Sequence, residues 1–312
     1  MSPAPLRIAT RKSALALWQA EHVAGLLRAL APGRPVELVP MTTEGDRNLG
    51  ASLAQSGGKG LFIKELEQAL SEGRADLAVH SLKDLPVLLE PEYTLAAVLE
   101  REDPRDAFLS KRYNAFKALP LGARVGSSSL RRQCQLLHHR PDLQIEPLRG
   151  NVDTRLRKLE EGHYDAIVLA VAGLKRLGLA HTITAVLEAD LCLPAITQGV
   201  IGIECRTDDR STAVLLDRLN HEATWTRALA ERALSRGLSG NCNLPIAGYA
   251  EIQGSMLRLQ GCVGSHDGQR LVAGRSEGPA ADPEALGSRL AEDLLTRGAD
   301  ALLKEITQGD FS

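Results

Sequence analysis

The chain has 312 residues, 44% of them hydrophobic and 24% charged, which describes a globular protein of two ordinary domains or three smaller ones and excludes a disordered or fibrous one. Its 37 Lys and Arg against 39 Asp and Glu leave a formal net charge of -2, which excludes a generally basic nucleic-acid-binding surface but not a local basic cleft. No apolar run approaches the roughly 20 residues that cross a bilayer, and the stretch from Met1 to Arg7 lacks a basic-then-apolar export signal, so a cytoplasmic protein without a membrane partner is expected.

The first half reads as strands alternating with helices. Leu6 to Thr10 predicts a strand ending at Arg11-Lys12-Ser13. Leu15, Trp18, His22, Leu26 and Leu30 then return at helical spacing, with Ser13 placed to cap that helix. Val36 to Met41 is a second strand. A polar loop runs to Gly57-Gly58-Lys59-Gly60, before a helix carrying Phe62, Leu66 and Leu70. Asp76 to His80 is a third strand, running into Ser81-Leu82-Lys83-Asp84-Leu85-Pro86, where Pro86 biases Leu85 away from helix.

The pattern then recurs in weaker form. Arg124-Val125-Gly126-Ser127 echoes Arg7-Ile8-Ala9-Thr10, and a helix begins near Ser129. Leu143 to Leu148 gives a strand, and a helix carries Val152, Leu156 and Leu159. Gly162 with Asp165-Ala166-Ile167-Val168 matches Gly73 with Asp76-Leu77-Ala78-Val79 at the same internal spacing. The shared order predicts two similar α/β domains facing one another, with ligands beyond the strand C-terminal ends. The polar segment Arg101 to Asp106 reads as a hinge, and Leu193 to Glu204 returns the chain to the first domain.

After about residue 220 the pattern changes. A helix spans Glu222 to Leu234 and ends near Gly237, followed by strands at Ile246 to Ile252, Leu257 to Val263 and Leu271 to Arg275. Asp282-Pro283 starts a last helix, with Leu286, Leu290 and Leu294 as its buried stripe. A small third α+β domain is expected. The boundaries read as 1–100 with about 197–220, then 101–196, then 221–312.

Three polar groups stand out. Ser127-Ser128-Ser129-Leu130-Arg131-Arg132 places cations in a first helical turn, against the macrodipole unless an anion sits there or both side chains reach solvent. Residues 124–176 hold ten Lys or Arg against six Asp or Glu, including Arg149, Arg155 and Arg176, and bidentate arginines suit carboxylates or phosphates. His80-Ser81-Leu82-Lys83-Asp84 offers an anion-binding lysine and a proton-exchanging carboxylate, or a loop salt bridge; for His80 a buried, hydrogen-bonded role is the simpler reading. The Gly57 to Gly60 loop lacks the GxxxxGK[ST] spacing of a nucleotide cradle and fits a flexible loop over a cleft. The five cysteines, with no CxxC spacing, argue against a disulfide framework or zinc site, and most read as small buried residues. Cys242, in Ser239-Gly240-Asn241-Cys242-Asn243, is a nucleophile or attachment point if its thiolate is stabilised, and otherwise inert.

Taken in order, these segments resemble the porphobilinogen deaminase family over nearly the whole chain. The likeness runs through Arg7 to Ser13, Gly57 to Phe62, Ala78 to Pro86, Arg101 to Asp106, Ser128 to Gln133, Leu148 to Val152, Ala170 to Leu177, Leu193 to Ala195, Gly202 to Glu204 and the Cys242 loop. It implies an α/β fold: two similar periplasmic-binding-protein-like domains around a cleft plus a small C-terminal α+β domain. It also implies a monomeric enzyme of porphyrin and heme biosynthesis that condenses four porphobilinogen molecules through linear polypyrrole intermediates, releasing ammonia at each step. A dipyrromethane cofactor would be attached through Cys242, with no metal required. Arg11, Ser13, Lys83, Ser129, Arg131, Arg132, Arg149, Arg155 and Arg176 would bind the acetate and propionate carboxylates of cofactor and substrate. Asp84 would serve the positive charge and the proton transfers created as substrate loses ammonia to become an azafulvene, and the Lys59 loop would accommodate successive products. Asn241 and Thr197 stand where Gly is common in the family, and Leu82 where Met is frequent. The alternative is an intracellular binding protein or sensor for a small polycarboxylate, which leaves Cys242 and Asp84 without a task.

Overall fold

The computed structural model describes residues 4–47, 62–239 and 244–309. The chain divides into two compact units, Met1–Glu102 with Val200–Trp225, and Asp103–Gly199 with Thr226–Ser312.

The first unit is built on a five-stranded sheet of order β2-β1-β3-β10-β4. Its strands are β1 (Leu6–Arg11), β2 (Val36–Met41), β3 (Leu77–Ser81), β4 (Tyr93–Val98) and β10 (Ile201–Arg206). β1 pairs in parallel with β2 and β3, whereas β10 runs antiparallel between β3 and β4. Helix α1 (Ala14–Leu30) starts where the sequence places it, because the Ser13 hydroxyl accepts from the Ala16 N–H at 3.3 Å. Its buried face, however, is Gln19, Ala20, Val23, Ala24 and Leu27, while His22 is exposed and Trp18 is 38% exposed. The row read from apolar spacing lies beside the true contact face. Ala20 and Ala24 let the helix backbone approach the sheet more closely than a Leu and Trp stripe would allow. A short helix α2 (Glu44–Arg47) and α3 (Lys64–Ser71) follow, and Leu66, Ala69 and Leu70 of α3 pack with Ala9 and Ala78. Helix α7 (Arg210–Asp217) covers the β4 side, capped by Asp209.

The second unit repeats this plan. Its sheet has order β7-β6-β8-β5-β9, with β5 (Asp106–Leu109), β6 (Arg124–Gly126), β7 (Gln144–Glu146), β8 (Ala166–Ala170) and β9 (Ala185–Leu187). Again the first three strands in the sheet are parallel, and an antiparallel strand, here β5, lies between the other two. Helices α4 (Leu130–His139), α5 (Val152–Glu160) and α6 (Val171–Arg176) connect them.

The sequence repeat has a hydrogen-bond counterpart. Asp76 N–H donates to the Arg7 carbonyl at 2.9 Å and its carboxylate accepts the Arg7 N–H at 2.8 Å; Asp165 and Arg124 make the same pair at 2.8 and 2.9 Å. Gly73 and Gly162 end α3 and α5 at φ 65° and 78°, in the left-handed region that closes a helix and that Gly adopts at least cost. In each, the N–H after the glycine donates to the carbonyl five residues earlier, Arg74 to Ala69 and His163 to Lys158.

The second unit also holds an antiparallel sheet β11-β12-β13, of Ile246–Gln253, Met256–Gly264 and Leu271–Pro279. Helices α8 (Glu222–Gly237), α9 (Pro283–Leu294) and α10 (Asp300–Gly309) pack with it, and Leu286, Leu290 and Leu294 are fully buried as their spacing predicts. Pro283 takes the first helical position, although the Asp282 side chain makes no capping bond. The β12–β13 hairpin docks on α4: Gln133 Nε2 donates to the His266 carbonyl at 3.3 Å, and His138 Nδ1 lies 3.0 Å from the Gly268 carbonyl.

Candidate functional site

In the first unit, the candidate residues gather at the C-terminal edge of the parallel strands. β1 ends at Arg11, Ser13 caps α1, and β3 ends at Ser81 and runs into a single tight turn, Leu82–Asp84. Leu85 leaves that turn at φ -85° and ψ 127°, the extended conformation that Pro86 demands. Adjacent parallel strands bring their C-terminal ends together, so Arg11, Ser13, Gln19, Phe62, His80, Ser81 and Asp84 line one small pocket. Lys83 lies in the same turn as Asp84.

The pocket's cation is not loose. Arg11 Nε donates to Asp46 Oδ2 at 3.2 Å, a second contact joins its Nη2 to Oδ1, and its guanidinium lies 4.0 Å over the Phe62 ring. Burial pushes the Asp46 carboxyl up, but the Arg11 and Thr43 hydrogen bonds outweigh it and hold it below its ordinary value. His80 is buried, as its sequence context indicates, with Nε2 at 2.9 Å from Glu204 Oε2.

In the second unit the charged helix start departs from the solvent-facing alternative. Arg131 and Arg132 do not reach solvent; they are 4% and 6% exposed. Both reach Asp106 at the start of β5, Arg131 Nη1 at 2.7 Å from Oδ2 and Arg132 Nη2 at 2.6 Å from Oδ1. Arg131 Nη1 also donates to the Leu193 carbonyl at 2.9 Å, and Arg132 Nη1 to the Val168 carbonyl at 3.0 Å. Asp106 further accepts from Gln198 Nε2 at 2.9 Å and lies 3.4 Å from the Cys192 thiol. Burial would raise the Asp106 carboxyl, but the two guanidiniums hold it far below the usual carboxylate range. Two cations thus share one anion, and the buried Nε atoms of Arg131 and Arg132 have no hydrogen-bond partner among the described residues.

Around this triad, Ser129 is the N-cap residue of α4, with no capping bond from its side chain. Arg149 precedes α5, Arg155 Nε donates to the Gly150 carbonyl at 2.7 Å, and Arg176 Nη2 donates to the Gly199 carbonyl at 2.7 Å. Cys134, Cys192, Cys205 and Cys262 are buried, and burial pushes the thiols of the first three up to about 12, 12 and 11 and raises that of Cys262 further. These are inert thiols. Lys59 and Cys242 lie outside the described residues. Among the described residues there is no group of three His, Cys, Asp or Glu able to hold a metal, and no helix is long and apolar enough to cross a membrane.

Sequence reasoning missed Asp106 and Glu204. Asp106 closes a segment whose polarity reads as a hinge, yet it is the first residue of a buried strand and has no exposure. The signal was available in each: an acid set directly against an apolar strand, Asp106 before Ala107-Phe108-Leu109 and Glu204 inside Ile201-Gly202-Ile203-Glu204-Cys205. A carboxylate there must have a partner.

A family model described as porphobilinogen deaminase, dipyromethane cofactor binding domain, matches residues 6–214, and one described as porphobilinogen deaminase, C-terminal domain, matches residues 225–296. Solved structures similar to the chain include the BvgS VFT2 domain of Bordetella pertussis, at 16% identity and TM-score 0.44 over 70% of this chain and 86% of that one. The periplasmic aliphatic sulphonate binding protein SsuA of Escherichia coli aligns at 17% identity and TM-score 0.42, over 76% and 71% of the two chains. A periplasmic substrate-binding protein of an ABC transporter from Coxiella burnetii aligns at 16% identity and TM-score 0.44, over 73% and 96%.

Proposed function

Because the chain belongs to the porphobilinogen deaminase family, we propose that it joins four porphobilinogen molecules head to tail, on a dipyrromethane primer held by Cys242 through a thioether, and that water then releases them as linear hydroxymethylbilane. It would act as a monomer in the cytoplasm, in tetrapyrrole biosynthesis, with no nucleic-acid or membrane partner. The observation that carries this reading is the charge balance at Asp106: two buried guanidiniums share one carboxylate, and each keeps a buried Nε without a partner among the described residues. A buried triad of net positive charge with two unused N–H donors is suited to an anion, since leaving it unpaired costs stability. Dipyrromethane carries acetate and propionate carboxylates, so the residues present fit the group.

Arg131 and Arg132 would offer their unused Nε donors to those carboxylates, with Ser129 adding a hydroxyl and the open N–H groups of the first turn of α4. Arg149, Arg155 and Arg176 would receive carboxylates of the lengthening chain. Arg11, held by Asp46 and Phe62, would bind through its remaining donor edge beside Ser13 and Lys83. When bound, dipyrromethane supplies the free α-carbon to which the first substrate unit is joined. Each joining step breaks an aminomethyl C–N bond and an α C–H bond, forms a C–C bond, and sends the α proton out with the amine as ammonium. Asp84 would stabilise positive charge on the substrate pyrrole, donate a proton to the amine as it leaves, and take back the α proton of the new linkage once the C–C bond has formed. The Lys59 loop would cover the growing product.

The test is the denatured intact mass of the purified protein beside Cys242→Ser. An added mass matching two deaminated porphobilinogen units, absent from C242S, is the expected result. Absence of any adduct after incubation with porphobilinogen overturns the reading and leaves the polycarboxylate-binding protein in its place.

A further inference from the structure

One buried titratable pair has no part in the chemistry above. His80 forms part of the wall of the Asp84 pocket, and its Nε2 lies 2.9 Å from Oε2 of Glu204, a side chain with no exposure. The other oxygen of that carboxylate, Oε1, is buried without a partner among the described residues. His80 Nε2 is engaged by Glu204, Nδ1 makes no hydrogen bond to a described residue, and His80 lines the same pocket as Asp84. The backbone is arranged to aim the acid: β10 carries a register irregularity between Ile203 and Glu204 in its pairing with β4, and such bulges re-aim the following side chain. In the other pairing, Gly202 stands opposite His80 and Glu204 opposite Ala78. A Cβ on Gly202 would come within 2.8 Å of the Leu82 methyl end, so a larger residue there would have to displace that side chain.

A half-satisfied carboxylate in a sheet interior is costly, and a Gln or a Leu would fit the fold more cheaply. Its one described partner is an imidazole that opens onto the site. We propose that His80 and Glu204 form a positioning dyad for Asp84: Glu204 fixes the imidazole by taking its Nε2 side, and the ring presents Nδ1 to the pocket where Asp84 exchanges protons. The groups facing the dyad are Glu67 from α3, which also feels Glu90, and Arg11 and Asp84 on the pocket side. Glu67 is a third acid over the same sheet face, raised to about 7 by burial first and by Glu204 second, so its ionisation changes the charge behind the dyad near neutral pH.

This inference rests on the reading of the chain as a porphobilinogen deaminase, and the experiment separates the two. Porphobilinogen consumption by the cofactor-loaded protein is measured from pH 6 to 9 for wild type, Glu204→Gln, His80→Gln and the double variant, with the intact mass of each recorded. Each single variant is expected to keep the adduct mass and to lower kcat about 10- to 100-fold with KM changed less than about threefold. The kcat–pH profile should shift, and the double variant should be no worse than the poorer single one, as for residues that act as a unit. A kcat–pH profile superimposable on wild type, or losses that multiply in the double variant, overturns the dyad whatever happens to stability. If the variants do not fold, the imidazole 15N spectrum of the wild-type protein decides. An Nε2-protonated His80 whose Nδ1 signal moves when porphobilinogen is added supports the dyad, and an unmoved signal overturns it. A wild type that carries no adduct and consumes no porphobilinogen fails at the proposed activity and overturns the dyad with it.

Discussion

Replacing Asp106 by Asn keeps the shape of the side chain and removes the one negative charge shared by Arg131 and Arg132. At about 4 Å between charge centres and an effective dielectric of about 20, each attraction is on the order of 4 kcal/mol. Both are lost, and part of the loss is offset because Asp106 no longer has to be stripped of water. What remains is two buried guanidiniums with the Leu193 and Val168 carbonyls as acceptors, and an amide NH2 turned toward at least one of them. Removing one partner of a buried ionic group costs about 3–5 kcal/mol. That corresponds to a fall in Tm of roughly 10 °C for a unit of this size. Urea unfolding followed by circular dichroism at pH 7 reads the difference. The pH dependence has a defined sign: the folded-state value of Asp106 lies below its ordinary value of 3.8, so its contribution is present above that value and lost as pH falls further. The gap between wild type and D106N should therefore be constant from pH 5 to 8 and shrink only in acid. Converting the triad to D106L with R131M and R132M should recover most of the stability, because apolar replacements of buried ion groups are often neutral or better. A D106N protein within about 1 kcal/mol of wild type would refute the argument, since the triad would then contribute no more than an exposed salt bridge.

Three further outcomes are expected. The raised Glu67 carboxyl contributes stability that is complete below its ordinary value of 4.5 and is lost as pH rises through about 7; Glu67→Gln should abolish this loss, roughly 1–2 kcal/mol after allowing for the group's half-buried position, in unfolding measured at pH 5 and 8. Thr197 is buried at φ 56°, so Thr197→Gly should raise stability by about 1 kcal/mol, and a loss in thermal unfolding would show that its Oγ1 bond to the Ile196 carbonyl outweighs the strain. Gly268 and Gly254 both have positive φ, but a Cβ on Gly268 would meet the His138 nitrogen at 2.5 Å, whereas one on Gly254 meets nothing within 4 Å. Gly254→Ala should cost about 1 kcal/mol and Gly268→Ala clearly more; equal costs would mean that the hairpin yields freely against α4.

Much of the fold is written locally. Ser13 before an apolar row, Pro86 after Leu85, Pro283 after Asp282 and the two Gly-to-Asp spacings act through backbone geometry within a few residues, and the structure places each as read, save that the Asp282 side chain makes no capping bond. The repeat was legible for the same reason: the Arg7–Asp76 and Arg124–Asp165 pairs join a strand start to the turn before the next strand, so equal spacing yields equal bonds. The antiparallel strands β5 and β10 were harder to place, because each takes its partners from far along the chain.

The site divides along the same line. Residue types and order marked Arg11, Asp84, Arg131 and Arg132 as charged groups needing partners, and they identified the family. Which partner each one has is a matter of tertiary structure. Asp106 is 25 residues from Arg131, and Glu204 is 124 from His80, and nothing in the intervening sequence encodes those meetings. A charge in a sequence has a sign but no dielectric. Only packing removes water from Asp106 and Glu204, and that removal turns two ordinary acids into the groups on which the arginine pair and the imidazole depend.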